Sequence, residues 1–426
     1  MTQTNSNTYA CGIDFGTTNS AACLVNGGHT QMVPLDNAGQ VTTPSAIYFD
    51  LNNGAHIYGR EALARYHKRE GGRLMRSLKS LLGTSTIEDT CRLTLATGEN
   101  RLYAYTEILG FFIQHLKAHA EAMGGKPLEN VVVGRPVHFV DYNAEADAKA
   151  QAQLEAVFKE QGFKNVSFQY EPIAAALTHE QTLQSEKVVL IVDMGGGTSD
   201  FSLIRLSPHH FGKADRTDDI LGNHGVHIAG NDFDQDLSLN HVMPLLGYGA
   251  AEKLPIPNHY FFRLSNWPEI QSLYSHRTLL DLEKTRRFLQ NQENLDRLKQ
   301  VIEYEEGHMI ASRVEGAKIG LTDHAHETID LDLIEKGLTA QMSRLQLEQA
   351  LAEKLDRIEH GIRETIQQAG IDETQVENMF LTGGSAMLPV VQRRLKGLFP
   401  NAALHFGDMF SSVSQGLGLE AQKRYQ

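Results

Sequence analysis

Short runs of β-branched and aromatic residues, each bounded by turn formers, predict strands at 9–15, 21–25, 45–49, 130–134, 167–170, 188–193 and 379–382. Elsewhere the apolar positions recur at helical spacing. The pattern is clearest over 105–123, 143–161, 171–181 and 338–369, with Gly124, Gly162 and Gly370 placed to stop three of these helices. Helices are expected to fill the remaining gaps, and strands alternating with helices put the fold in the α/β class. No stretch rich in Pro, Gly or Ser separates one part from another, so domains are expected as lobes knit together by ordinary secondary structure.

One internal echo changes this picture. Ile13-Asp14-Phe15-Gly16-Thr17-Thr18 is mirrored by Val192-Asp193-Met194-Gly195-Gly196-Gly197-Thr198. In each, an apolar strand ends near Asp, enters a Gly/Thr turn and continues into a second strand, at 21–25 and 201–206. Two similar halves are implied, with a ligand crevice where strand ends and turns converge. Gly/Thr turns present successive backbone N–H groups that an anion can approach closely, and phosphate is the natural guest. The Asp of each strand would repel phosphate unless a hydrated Mg²⁺ sat between them, which makes Asp14 and Asp193 the candidate magnesium partners. Either turn alone is an ordinary hairpin tip; the repetition points to phosphate.

Composition narrows the function classes. The 426 residues suffice for two or three domains, and 41% hydrophobic residues with 21% charged is a globular balance. A net charge of −13 argues against nucleic acid and anionic membrane partners. Cys11, Cys23 and Cys91 form no CxxC pair, so neither a disulfide framework nor a zinc site is expected. With no signal-peptide pattern and no apolar run near the ~18 residues of a membrane span, a cytoplasmic, soluble protein is expected. No GxxxxGK[ST] occurs, and no GxGxxG follows a strand. Gly383-Gly384-Ser385-Ala386-Met387 lacks the second glycine of a nucleophile elbow. It reads as a strand, a glycine turn and a helix N-terminus with Leu388 and Pro389 in the first turn. The pairs His209/His210 and His324/His326 lack zinc-like partners and are expected to face solvent.

Together the motifs resemble those of the seventy-kilodalton heat-shock chaperones of DnaK type. Gly12 to Ser20 is similar to their first phosphate loop, and Asp193 to Asp200 to their second. Glu171-Pro172-Ile173-Ala174-Ala175-Ala176 resembles their connecting segment, Gly230-Asn231-Asp232-Phe233-Asp234 their GGEDFD motif, and Phe380 to Pro389 their adenosine motif. The five motifs keep the family's order. The resemblance implies an actin-like ATPase fold: two duplicated ribonuclease-H-like lobes flanking a nucleotide cleft, with an N-terminal lobe over 1–186 and a C-terminal lobe over 187–426. A longer, more aromatic helical insertion is expected at about 244–307, containing Trp267.

The resemblance also implies ATP or ADP with Mg²⁺ as cofactors. Gly16, Thr17, Thr18, Gly195, Gly196, Gly197 and Thr198 would contact phosphates. Asp14, Glu171 and Asp193 would hold the metal largely through water, with Asp200 in the same polar cluster. Lys79 would orient the attacking water, giving Lys79, Glu171, Asp193 and Thr198 as catalytic candidates. Gly230, Glu315, Lys318, Gly383, Gly384 and Ser385 match nucleoside-contacting positions, Glu315 and Lys318 on one helix face.

Departures limit what is carried over. Ile319 and Met387 stand where the family has adenine-stacking arginines, and Phe410 where it has a late aspartate. The chain is similar to the short YegD-type relatives, and no peptide-binding domain is expected. The expected function is a slow, chaperone-like ATPase whose nucleotide state controls an unidentified protein client or co-chaperone. The alternatives are a sugar-type kinase of the same superfamily and a nucleotide sensor with little turnover.

Overall fold

A computed structural model describes residues 8–425 except 69, 141–142, 211–212, 214–215, 253, 268 and 407–408; the side chains of 178 and 409–411, Phe410 included, also lie outside the described set. Two sheets share one topology. The first runs in the order Asn165–Tyr170, Asn130–Arg135, Tyr9–Phe15, Asn19–Asn26, His29–Met32, with Thr42–Pro44 also on Asn19–Asn26. The second runs Ala403–Phe406, Asn378–Thr382, Lys187–Met194, Ser199–Leu206, Ile220–Val226. In both, the Asp-bearing strand pairs parallel to one neighbour and antiparallel to the strand after its turn. The echo in sequence is therefore a duplicated mixed sheet, and the chain has the actin-like ATPase fold.

The central strands are buried over nearly their whole length, because helices cover the sheets on both faces. Two of those helices cross between the halves. Glu171–Glu180 lays Ile173, Ala176 and Leu177 on Val189, Ile191 and Ile204 of the second sheet. Met409–Arg424 lays Val413, Leu417 and Ala421 on Ala10, Val25 and Val132 of the first. A boundary at 186/187 thus puts a helix of the first sheet's packing into the second segment. Close approach requires small residues here: a Cβ on Gly416 would lie 1.9 Å from the Ala174 carbonyl oxygen, and one on Gly12 2.3 Å from the Gly418 nitrogen.

Three expectations are corrected. Among the described residues, 50–105 is not helix-filled but carries strands His56–Tyr58, Gly72–Arg76, Thr90–Thr94 and Asn100–Ala104 around one α-helix, Gly59–His67, and two short 3₁₀ turns, Leu78–Leu81 and Ser85–Glu88. The long helix starts at Arg344, not 338, because Thr339–Ser343 pairs with His326–Asp330 and Ser343 caps the helix reciprocally with Gln346. The helix from Tyr105 is stopped by Gly125, at φ 72°, with Gly124 its last residue. Segment 244–307 holds helices Asn258–Ser265, His276–Glu283 and Gln292–Glu303, whose Phe261, Leu264, Leu282 and Leu298 join the core of the second half.

Candidate functional site

The two Gly/Thr turns face each other across the interlobe cleft. Thr18 Oγ1 lies 2.8 Å from where a Gly196 Cβ would be. The first turn is held by Ser45, whose N–H donates to the Thr18 carbonyl (2.8 Å) and whose Oγ donates to the Gly16 carbonyl (2.7 Å). Gly16 is obligatory there, since its Cβ would meet the Asn19 carbonyl oxygen at 2.2 Å. Thr17 is half-buried beside it. The second turn closes by Gly195 N–H donating to the Thr198 carbonyl (3.0 Å), and Thr198 Oγ1 donates to Asp200 (3.0 Å). Gly197 and Gly384 border open space, with no atom within 4 Å of an added Cβ.

Behind the turns sits a charged core. Lys79 Nζ and Glu171 Oε1 are 2.7 Å apart, with Asp14 and Asp193 close enough to shift the lysine's titration. Lys79 is no solvated surface lysine. It is buried in the short helical turn Leu78–Leu81, entered through Ser77 at φ 57°, a left-handed conformation that costs a non-glycine residue energy and re-aims the chain. Burial pushes the Asp14 carboxyl well above the usual carboxylate range, reinforced by Glu171 and Asp193 against Lys79. Burial likewise raises Asp193 to about 6, helped by Glu171 and opposed by a hydrogen bond from Thr382 and by Lys79. For Lys79, burial pulls downward, but Glu171, Asp14 and Asp193 win and the ammonium is held above its ordinary value.

Three carboxylates against one ammonium leave excess negative charge in a buried place. That donor set fits a hard divalent cation bridging to phosphates. Among the described residues no group of three His, Cys, Asp or Glu side chains converges tightly enough to ligate a metal alone. The carboxylates therefore suit a cation that keeps waters and takes its other ligands from a bound phosphate.

The nucleoside candidates gather on the second-half side. Gly230 and Asn231 open a helix, Gly230–His241, and donate their N–H groups to the Gly195 and Gly196 carbonyls (3.1 and 2.7 Å). Ser385 Oγ donates to Gly195 as well (3.3 Å). Gly383, at φ 79°, allows the chain to pass where a Cβ would strike the Met194 carbonyl oxygen at 2.1 Å. Lys318, from the helix Gly307–Gly320, donates to the Gly230 carbonyl (3.2 Å) and to Asp234 (2.8 Å). Its partner is thus Asp234, not Glu315. Burial raises Asp234 to about 6 despite Lys318, and its Oδ1 has no protein partner. Ile319 and Met387 are both exposed, at 60% and 38%.

Sequence reasoning assigned no role to Asp234, Thr382 or Ser45, although Asp234 ends the GGEDFD-like motif and Thr382 lies within the adenosine-type motif Phe380 to Pro389. One histidine expectation is corrected: His210 is partly buried and pairs with Asp219 at 2.6 Å in a cluster with Arg216 and Glu180. Among the described residues no helix is long and apolar enough to cross a membrane.

A duplicated fold with opposed glycine turns at the crevice between its sheets defines an actin-like ATPase. The model of the family described as Hsp70 protein matches residues 10–247 and 285–407, and the chain belongs to the Hsp70 family of chaperone-type ATPases. The interval between the two matched stretches falls inside the 244–307 insertion.

Proposed function

We propose that the chain binds Mg·ATP between the two turns, hydrolyses it slowly, and couples its nucleotide state to the binding of a protein client or co-chaperone. The observation that carries this reading is the convergence of Thr18 and Gly196 in front of Asp14, Asp193 and the Lys79–Glu171 pair. When bound, the metal would offset charge on the phosphates, with Asp14, Glu171 and Asp193 holding it largely through water. The residues of the chain do the rest. Backbone N–H groups of turns 16–18 and 195–198 orient the phosphates. Lys79 Nζ, fixed by Glu171, supports the developing charge and positions water. Lys318 and Asp234 hold the nucleoside side of the cleft together. Because the turns belong to different halves, a ligand contacting both favours the closed arrangement, and a partner that distinguishes closed from open would sense it.

Phosphate release from Mg·ATP by the purified chain, with and without a panel of sugars, tests the reading. Release from ATP alone, abolished in Asp193→Asn, is expected. Release only in the presence of a sugar would make the chain a kinase. Tight ATP binding without turnover would make it a sensor, a second reading favoured by the exposed Ile319 and Met387 where the base contacts would lie.

A further inference from the structure

The two duplicated sheets differ beside their aspartates. In the second sheet, Asp193 lies opposite Thr382 in the parallel ladder between Lys187–Met194 and Asn378–Thr382. In the first, the corresponding ladder pairs Ile13 with Val133, which puts Gly134 opposite Asp14. A Cβ on Gly134 would lie 3.1 Å from Glu171 Cγ, so the glycine leaves room for the side chain that holds Lys79. Thr382 does the reverse. Its hydroxyl donates a hydrogen bond to the Asp193 carboxylate, from a buried strand end where a β-branched side chain has few rotamers. The turn that follows is shaped around the same group, since a Cβ on Gly383 would lie 3.2 Å from Asp193 Oδ1. Behind Asp193 is a recess of about 30 Å³, roomy enough for about two waters. Thr382 and Asp200 line it with Ile191, Ser202 and Asn223, which lie farther down their strands from the glycine turns.

We propose that Thr382 is a positioning residue, which holds the Asp193 carboxylate toward the interlobe cleft and away from the recess behind it. The inference rests on the reading that Mg·ATP binds between the two turns. An aspartate carboxylate turns readily about its terminal bond. Charge alone does not fix that rotation here: Glu171 repels the group and Lys79 attracts it, and neither interaction is directional as a hydrogen bond is. Water in the recess would solvate a carboxylate turned backward as well as one turned forward. A stiff donor on the neighbouring strand removes this freedom before a cation arrives, so less order has to be gained on binding. The two aspartates therefore have unequal tasks. Asp193 is set in advance by Thr382, whereas Asp14, with glycine at the matching position, is left to adjust to the cation.

Calorimetry of ATP binding by the full chain in Mg²⁺ and in EDTA tests this without turnover, because the ratio of the two affinities isolates the metal's share. Thr382→Val keeps the shape of the side chain and removes the donor. It should cut that ratio roughly tenfold, the low end for groups that orient metal-facing side chains, and leave ATP affinity in EDTA within about twofold. Thr382→Ser restores a hydroxyl and should keep the ratio within about threefold of the unaltered chain. An unchanged ratio in Thr382→Val overturns the proposal. So does equal weakening in Mg²⁺ and EDTA, or a serine variant as impaired as the valine one, since either makes Thr382 a packing residue. If Thr382→Val does not fold, Thr382→Ala removes the same donor and the comparison with serine still decides. In the unaltered chain, ATP binding that Mg²⁺ does not strengthen overturns the metal's place in the cleft. No ATP binding in either condition overturns the nucleotide reading, and this inference with it.

Discussion

Lys79 is the residue on which the charge balance of the cleft turns. Lys79→Ala should lower ATP hydrolysis by roughly 10²-fold or more and leave ATP binding within a few-fold, because the ammonium acts on developing charge and water. It should also destabilise the nucleotide-free protein by about 3 kcal/mol, since it strands Glu171 beside two other carboxylates. Phosphate release, calorimetry and urea melts separate the three effects; equal losses in binding and rate would contradict the role. Asp234 makes a pH prediction. Its folded pKa of about 6 lies above the unfolded value of 3.8, so between these values the unfolded chain binds fewer protons and stability falls as pH rises. The loss is on the order of 2–3 kcal/mol by pH 7, and Asp234→Asn should flatten that part of the stability profile between about pH 4 and 6. An unchanged slope in the variant would refute the assignment.

At the scale of elements, the crossing helices depend on missing side chains. Gly416→Ala forces a methyl against the Ala174 backbone, which cannot swing aside as a side-chain tip could, and should cost at least about 2 kcal/mol. Gly397→Ala, in the exposed last turn of helix Pro389–Leu398 with nothing within 4 Å, should instead gain about 0.5–1 kcal/mol through backbone entropy. Denaturant melts of the two variants give opposite signs if helix crossing, not helix propensity, governs Gly416. The elements with clear periodicity, such as Tyr105–Gly124 and Lys187–Met194, were legible in sequence because local pattern and burial agree there. The strands of 50–105 were not, since His56–Tyr58 and Gly72–Arg76 are short and gain their order only from pairing with Ala46–Asp50.

For the whole molecule, each half packs a helix on the other's sheet, so the halves are expected to unfold together and a cleft ligand to stabilise both. Mg·ATP at about 100 times its Kd should add about 2.7 kcal/mol. In Asp193→Asn, ATP should still raise the melting temperature, but the further increment from Mg²⁺ over EDTA should shrink, because one buried carboxylate beside the cation is gone. Thermal melts with ATP, with and without Mg²⁺, read this directly; an undiminished Mg²⁺ increment would remove Asp193 from the metal's surroundings.

The sequence by itself determined the α/β class, the duplication and the two turns, because glycine, threonine and aspartate at strand ends are local requirements written in consecutive residues. It also placed Lys79, but only through resemblance, since nothing local distinguishes that lysine from a surface one. Tertiary structure alone decided that Lys79 is buried against Glu171, 92 residues away in sequence, that Lys318 pairs with Asp234 rather than Glu315, and that Trp267 faces Arg76 across the cleft. These contacts join side chains from different elements. Their geometry follows from how two sheets and their crossing helices pack, which no local pattern encodes.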